Sequence, residues 1–393
     1  MSPHRRPSTP PTAGEVLALV RSGAATTRAD VGRVTGLSRT AVAVRLRALL
    51  DSGLVVEAEE APSRGGRPPT RLAFGRDAGV VLAAAVGRSR AQLAVCDLDA
   101  AVLAAADVDQ EVGTAPDALM PGLVDRLEAL LEQASRSPAD VVAVGLSIPG
   151  TVDPARGASL ASPIMRGWDG IPLAPYLQTL ADVPVVVDND VNGMALSERR
   201  GHLERFSNLL LVKASTGLGA GIIAEGRPLR GELGAAGEIG HTKSAAAQGV
   251  TCRCGDTGCL EAVAGGWALV QAIRAQGRDV GHVRDLVTLA VDGDPDARRL
   301  VRESGRRVGE VLAGAVNLLN PAALVVGGDM ARAYDVFVAG LRETLYGGAT
   351  ALATRELEIL PTTHGDRSGV VGCARLALEE VLSVEAVDRR LED

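Results

Sequence analysis

Residues 237–261 read GEIGHTKSAAAQGVTCRCGDTGCLE, and in this stretch His241 is followed at positions 252, 254 and 259 by three of the chain's five cysteines. One imidazole and three thiolates form the donor set of a structural zinc site, because four protein ligands leave no open position for water. The alternatives are a disulfide and a set of ordinary buried thiols. A disulfide is disfavoured in a reducing compartment, and a Cys-x-Cys pair is too tight for easy bridging. The spacing therefore predicts Zn2+ held by His241, Cys252, Cys254 and Cys259, whereas Cys96 and Cys373 fall outside it and read as core residues.

Working outward, 393 residues exceed one ordinary core, so two folded units plus a smaller one are expected. The longest apolar runs, such as 183–187 and 209–212, stop far short of the ~20 residues a membrane-spanning helix needs. No apolar leader follows Arg5 and Arg6, so the expectation is a cytoplasmic protein with a disordered tip over 1–12. Charge is uneven: residues 1–76 carry twelve Arg, no Lys and six acids, about +6, which leaves about −13 for the rest of a chain whose net charge is −7. A basic first module on an acidic body points to nucleic acid as the module's partner and excludes it for the body.

That first module, 13–76, reads as a winged helix-turn-helix. Val16, Leu17, Leu19 and Val20 recur at helical spacing up to Gly23. A second helix starts at Thr27 as cap, with Asp30 three residues on and Val31 and Val34 as its apolar face, and ends at Gly36. Ser38 caps a third, in which Val42, Leu46, Leu49 and Leu50 form one stripe and leave Arg39, Thr40, Ala43, Val44 and Arg47 for a DNA major groove. Residues 54–56 and 70–72 bracket SRGGRPP as a hairpin whose tip, Arg64 and Arg67, is placed for a minor groove or phosphates. The plain alternative is a three-helix unit that packs on a neighbour, with RGGRPP as a linker.

From Gly79 onward, strands rich in Val and Ala alternate with helical segments, which predicts parallel strands with crossover helices. In such folds ligands sit at the carboxyl ends of strands, where SIPG (147–150) and DNDVN (188–192) fall. The loop STGLGAG (215–221) suits backbone approach to an anion or a hydroxylated ligand, and equally a glycine-rich hairpin turn.

The body resembles the ROK family of repressors and sugar kinases. The resemblance rests on the His-Cys-Cys-Cys motif with Gly255, Gly258 and Glu261, on Glu238 to His241, on Asn189 to Asn192, on GLSIPG (145–150), and on LNPAALVVGGDM (319–330). It covers 79 to about 385 and implies a two-lobed α/β body of the actin-like ATPase (ribonuclease H-like), sugar-kinase type behind the winged helix. The implied boundaries are 79–190 plus 374–388 for the small lobe and 191–373 for the large, zinc-bearing lobe. Asn189, Asp190, Glu238, His241 and Glu261 are then the sugar-contacting set. Carboxylates and an amide can each grip a vicinal diol, and a zinc-bound His241 has one ring nitrogen free to face the sugar. Asp190 has a second reading as helix cap for 193–200.

Kinases of this family carry a DxGxT turn after the first strand, whereas here the segment is AAVGRSR (84–90): Ala85 replaces the acid and Arg88 replaces a small residue. A base without an organised nucleotide has no phosphoryl group to transfer. The expected function is a sugar-responsive, DNA-binding repressor, not an enzyme, that acts on genes of carbohydrate metabolism or uptake. Its partners are an operator duplex and a sugar effector, and its assembly is a homodimer or homotetramer with no membrane association. The alternatives are a ROK sugar kinase with an accessory DNA-binding module and a DNA-binding protein with a vestigial sugar domain. The segment SPIMRGW (162–168) departs from the kinases' Asn in this loop, so Ile164 or Arg166 is expected to shift sugar preference toward a phosphorylated or acidic sugar.

Overall fold

The computed structural model describes residues 10–58 and 70–392, apart from 112, 154, 161–164 and 166. The expectations placed on the wing tip (Arg64, Arg67), on Ile164 and Arg166, and on positions 1–9 lie outside these residues. Thr12 is not loose: it caps the first helix reciprocally with Glu15, an arrangement worth about 1 kcal/mol.

Helices α1 (Ala13–Arg21), α2 (Arg28–Thr35) and α3 (Arg39–Asp51) precede an antiparallel pair, β1 (Val55–Ala58) and β2 (Arg71–Phe74). Thr27 and Ser38 cap α2 and α3 through their hydroxyls, and Gly36 ends α2 in the left-handed conformation. Val42, Leu46 and Leu49 are buried as the spacing predicts. Val34 is not part of the core; it is 46% exposed, because α2 is short and only Val31 turns inward.

The small lobe follows: β3 (Val80–Val86), β4 (Arg90–Asp97), β5 (Val102–Asp109), α4 (Pro116–Gln133) and β6 (Val141–Ile148). A short ribbon of β7 (Val152–Asp153) and β8 (Ala158–Ser159), a single helical turn α5 (Ala174–Gln178) and β9 (Val185–Asn189) complete it. Its sheet order is β5-β4-β3-β6-β9. Helix α6 (Asp190–Ser197) leads into β10 (Leu209–Ala214), β11 (Leu218–Ala224) and β12 (Arg227–Pro228) of the large lobe. Four helices follow, α7 (Glu261–Ala264), α8 (Gly266–Arg274), α9 (Val283–Val291) and α10 (Pro295–Leu319). Next come β13 (Ala323–Gly327), α11 (Tyr334–Gly348), α12 (Ala351–Thr354) and β14 (Glu358–Pro361), giving sheet order β12-β11-β10-β13-β14. Among the described residues no helix is long and apolar enough to cross a membrane.

The two sheets share one plan, an antiparallel edge followed by parallel strands. In the small lobe β3 pairs antiparallel with β4 and parallel with β6; in the large lobe β10 pairs antiparallel with β11 and parallel with β13. The sheets are therefore mixed rather than parallel throughout. The reason is loop length: 87–89 and 215–217 are three-residue connections, and a parallel crossover needs a dozen or more residues. The glycine-rich loop at 215 is thus a hairpin turn, and its counterpart at 87–89 carries Arg88.

The C-terminal α13 (Ser368–Val381) packs on β3, β6 and α6, and α14 (Val384–Glu392) lies against α1. The segment expected with the small lobe at 374–388 lies within α13 and α14, of which α13 begins at Ser368 and α14 contacts the DNA-binding module. Val16, Leu17, Leu46 and Leu49 share one apolar cluster with Val81, Ala83, Cys96, Cys373 and Val387. A backbone bond from Leu98 N to Arg76 O crosses the junction near 76–79. The first module is therefore fused to the body through a shared core, with no free linker.

Candidate functional site

Strand ends from both lobes, the two hairpin turns and the 237–241 segment enclose a cavity of about 560 Å³ that is lined by Asn189, Asp190, Glu238, His241 and Glu261. These are the five residues expected to contact sugar, and the fold brings them together from β9, α6, the 237–241 segment and α7.

Asn189 caps α6: its Oδ1 accepts from Val191 N at 2.8 Å, while its Nδ2 donates to Gly150 O at 2.7 Å. The cap is therefore Asn189 rather than Asp190, and the helix begins at 190 rather than 193. Asp190 is freed to face the cavity, where its carboxylate pairs with Lys213 Nζ at 2.5 Å. Gly237 sits at φ +94° with its α-carbon packed on Ala220 O, where a Cβ would come within 1.8 Å; only glycine permits the turn that presents Glu238. Burial pushes the Glu238 carboxyl above its ordinary range. His241 opposes that shift, and the carboxylates of Asp190 and Glu261 add to it. Glu261 is 5% exposed, and each of its oxygens accepts one protein donor, Leu218 N at 3.0 Å and Trp267 Nε1 at 3.1 Å.

Behind the cavity wall, the ligand atoms of His241, Cys252, Cys254 and Cys259 lie within 4.8 Å of one another. Cys254 and Cys259 Sγ are 3.8 Å apart, and Cys252 Sγ is 3.9 Å from His241 Nδ1. A tetrahedral ion at ~2.3 Å from each sulfur sets neighbouring sulfurs ~3.8 Å apart, so the four residues fit a metal ion. Without compensating charge, burial and the neighbouring thiols push the Cys252 thiol up to about 12, and a divalent cation is what would allow all three to ionise. His241 turns Nδ1 to this cluster and Nε2 to Glu238 Oε2, 3.9 Å away.

Three residues the sequence reading missed bear on the site. Lys213 is the one charge in the strand LLLVKA, a signal that could have been read. His282 joins the lobes: its Nε2 lies 3.1 Å from Ser89 Oγ and 3.3 Å from Thr216 Oγ1, and burial lowers its pKa. No local pattern predicts that contact. Trp267, which orients Glu261, is equally a matter of tertiary packing. Ala85 lines the cavity.

On the DNA-binding module, Arg39, Thr40, Ala43, Val44 and Arg47 are all exposed on one side of α3. Arg47 is tethered to Asp51 at 2.8 Å, a surface pair worth well under ~1 kcal/mol and easily exchanged for a phosphate.

Such an arrangement defines a class, a two-lobed body of the sugar-kinase type behind a winged helix. A profile of the ROK family matches residues 81–380, and the chain belongs to that family. It is 27% identical to the xylose repressor of Caldicellulosiruptor bescii, over 91% of this chain and 92% of that protein. A solved ROK family transcriptional regulator, described as a homolog of the E. coli MLC protein, superposes with TM-score 0.80 at 25% identity, covering 96% of this chain and 98% of the other. The ROK family glucokinase from Streptomyces griseus, solved with glucose and AMPPNP, matches 76% of this chain and 99% of its own with TM-score 0.65 and 30% identity.

Proposed function

We propose that the chain is a sugar-responsive transcriptional repressor whose cleft controls its hold on an operator. The observation that carries this is the continuity between cleft and DNA module: Asp190 opens α6, α6 packs on α13, and the next helix, α14, packs on α1. The full-length likeness to a xylose repressor supports the same reading. Asn189, Asp190, Glu238, His241 and Glu261 hold the sugar, and zinc at His241, Cys252, Cys254 and Cys259 fixes the loop that aims His241 and Glu261. Arg39, Thr40, Ala43 and Arg47 meet the operator, and two copies of the chain present two such helices to a palindrome. Sugar that prefers one closure state of the lobes shifts the module's placement; a ~100-fold loss of operator affinity needs roughly 3 kcal/mol of coupling.

Arg47→Ala is expected to weaken operator binding about tenfold and to leave sugar affinity unchanged, while Glu238→Gln does the reverse. Fluorescence anisotropy with an operator duplex and calorimetry with the effector read the two affinities. Loss of both in each folded variant would sink the division of labour.

Catalysis is not part of this reading. Ala85 removes the acid that would help organise a nucleotide's metal, and Asp190, the family's base, is held by Lys213. A coupled assay for ATP consumption should therefore stay at background with any sugar that stabilises the protein. Turnover at ordinary enzyme rates, about 1 per second or faster, would move the chain to the kinase alternative.

A further inference from the structure

Deepening the closure step of that reading, on which its link to sugar rests, we propose that the first turn of α9 is a clasp between the lobes, closed by a neutral His282 on Ser89 and opened when His282 takes up a proton. The inference rests on three contacts of one ring. The 87–89 turn of the small lobe and the 215–217 turn of the large lobe join equivalent strand pairs of the two sheets. A single imidazole nitrogen meets both turns: His282 Nε2 lies 3.1 Å from Ser89 Oγ and 3.3 Å from Thr216 Oγ1. The other nitrogen, Nδ1, accepts from the Arg284 amide at 3.1 Å and so caps α9.

That cap fixes the tautomer. An amide N–H only donates, so Nδ1 keeps its lone pair, and the proton of the neutral ring sits on Nε2, where it reaches the two hydroxyls. A second proton has only Nδ1 to occupy, and there it faces the Arg284 N–H. The ring then leaves the cap, and Nε2 leaves Ser89 with it. A cationic ring is also disfavoured at the positive end of a helix.

Burial, and after it the charge of Arg284, holds the ring below its ordinary value of 6.5, against Asp329 after β13, Asp285 on the same helix and Asp109 at the end of β5. Each of these acids already has a partner: Asp329 accepts from Ser215 Oγ, Asp285 accepts from the His282 amide at 2.7 Å, and Asp109 pairs with Arg284 at 3.3 Å. The Arg284–Asp109 pair is a second contact between the lobes, but Asp109 is 81% exposed, so the pair adds little. His282 is the part of the clasp that decides.

The direction of the pH effect follows. The clasp favours closure fully above about pH 6.5, where a freed ring is also neutral, and loses that contribution as pH falls through the freed ring's value toward the lower one of the clasped ring, by at most about tenfold per pH unit. Sugar that needs the closed state binds more weakly over the same range.

The test uses the full-length, zinc-loaded protein. Long-range proton–nitrogen NMR of the histidine rings reads tautomer and titration, and His282→Asn assigns the signal, since asparagine keeps the cap on α9 without titrating. His282 should be the Nε2–H tautomer at about pH 7.5 and titrate below 6.5, and Ser89→Ala should raise its proton affinity at least about threefold. Calorimetry with pentoses, hexoses and N-acetylamino sugars then compares about pH 7.5 with about pH 5.5. The loss of affinity on acidification should be at least about threefold larger in wild type than in His282→Asn, a comparison in which the cavity's other titrating groups cancel. An Nδ1–H tautomer overturns the proposal, as does a His282 titration that is the same in wild type and Ser89→Ala. Equal pH dependence of sugar affinity in wild type and His282→Asn overturns it too, and leaves the sugar cleft standing. If the ring behaves as expected while no sugar binds at either pH, the clasp stands and the cleft reading is what has failed.

Discussion

Cys259→Ser is expected to abolish the metal binding proposed for the His-Cys cluster and, with it, at least about 100-fold of the affinity for sugar, while operator affinity without sugar changes by less than about threefold. The argument is geometric. Cys259 Sγ lies 3.8 Å from Cys254 Sγ, and a serine hydroxyl there supplies a poor, protonated ligand to a site that needs four. Structural zinc contributes roughly 10–16 kcal/mol of apparent binding energy in small zinc modules, so loss of one thiolate weakens retention by many orders of magnitude. The loop it organises carries His241 on one side and leads through Leu260 into Glu261, so both ligands lose their aim together. Metal content by atomic absorption, sugar affinity by calorimetry and operator affinity by anisotropy read the three quantities. Mild chelation of the wild type should reproduce the variant. Metal uptake by the stripped wild-type protein should rise with pH, because burial raises the thiol pKa values and protons compete with the ion. Undiminished sugar binding by metal-free protein would show that the cluster does not support the cleft.

The second large effect is expected from Gly14→Leu. The α-carbon of Gly14 packs directly on α14: a Cβ there would come within 2.4 Å of Val384 O, and the Gly14 amide donates to Asp388 Oδ1 at 2.7 Å. A side chain must push the two helices apart. Overpacking of this kind costs about 1–3 kcal/mol, which is comparable with the coupling energy that a repressor needs. Operator and sugar should each still bind, within about fivefold of wild type, but sugar-induced release should fall from about 100-fold to less than about fivefold. Release is measured by anisotropy at saturating sugar. The link is stiff further upstream as well: at Gly372 of α13 a Cβ would lie 2.0 Å from Gly193 O of α6, so the two helices touch backbone to backbone and move together. Full sugar-induced release in Gly14→Leu would mean that the signal reaches the DNA module by another route.

Much of the candidate site was legible because its residues are marked by chemistry that one stretch of chain must supply. His241, Cys252, Cys254 and Cys259 sit within 19 consecutive positions, and a candidate metal-ligand set of that span can be read from spacing alone. The helices of the first module were legible for a similar reason: Thr27 and Ser38 cap within three residues of themselves, and Gly36 takes a conformation that other residues disfavour. Strand β5 is not marked in the sequence, since its run of alanines carries neither β-branched enrichment nor clean alternation. Val34 was misassigned because helical spacing cannot tell which of two apolar positions a short helix turns inward.

The sequence by itself determined the family, the His-Cys cluster, the helices of the first module and the five residues around the cleft, because each rests on a local motif whose backbone or ligand geometry is set by near neighbours. Only the tertiary structure decided that Asp190 is held by Lys213 from a neighbouring strand and that His282 bridges Ser89 and Thr216 across the lobes. It alone placed α14 on α1, 374 residues apart at the Gly14–Asp388 bond. Such contacts join segments whose separation along the chain carries no periodicity, so they are settled by which faces the folded core leaves to be covered and by where a buried charge finds, or fails to find, its partner.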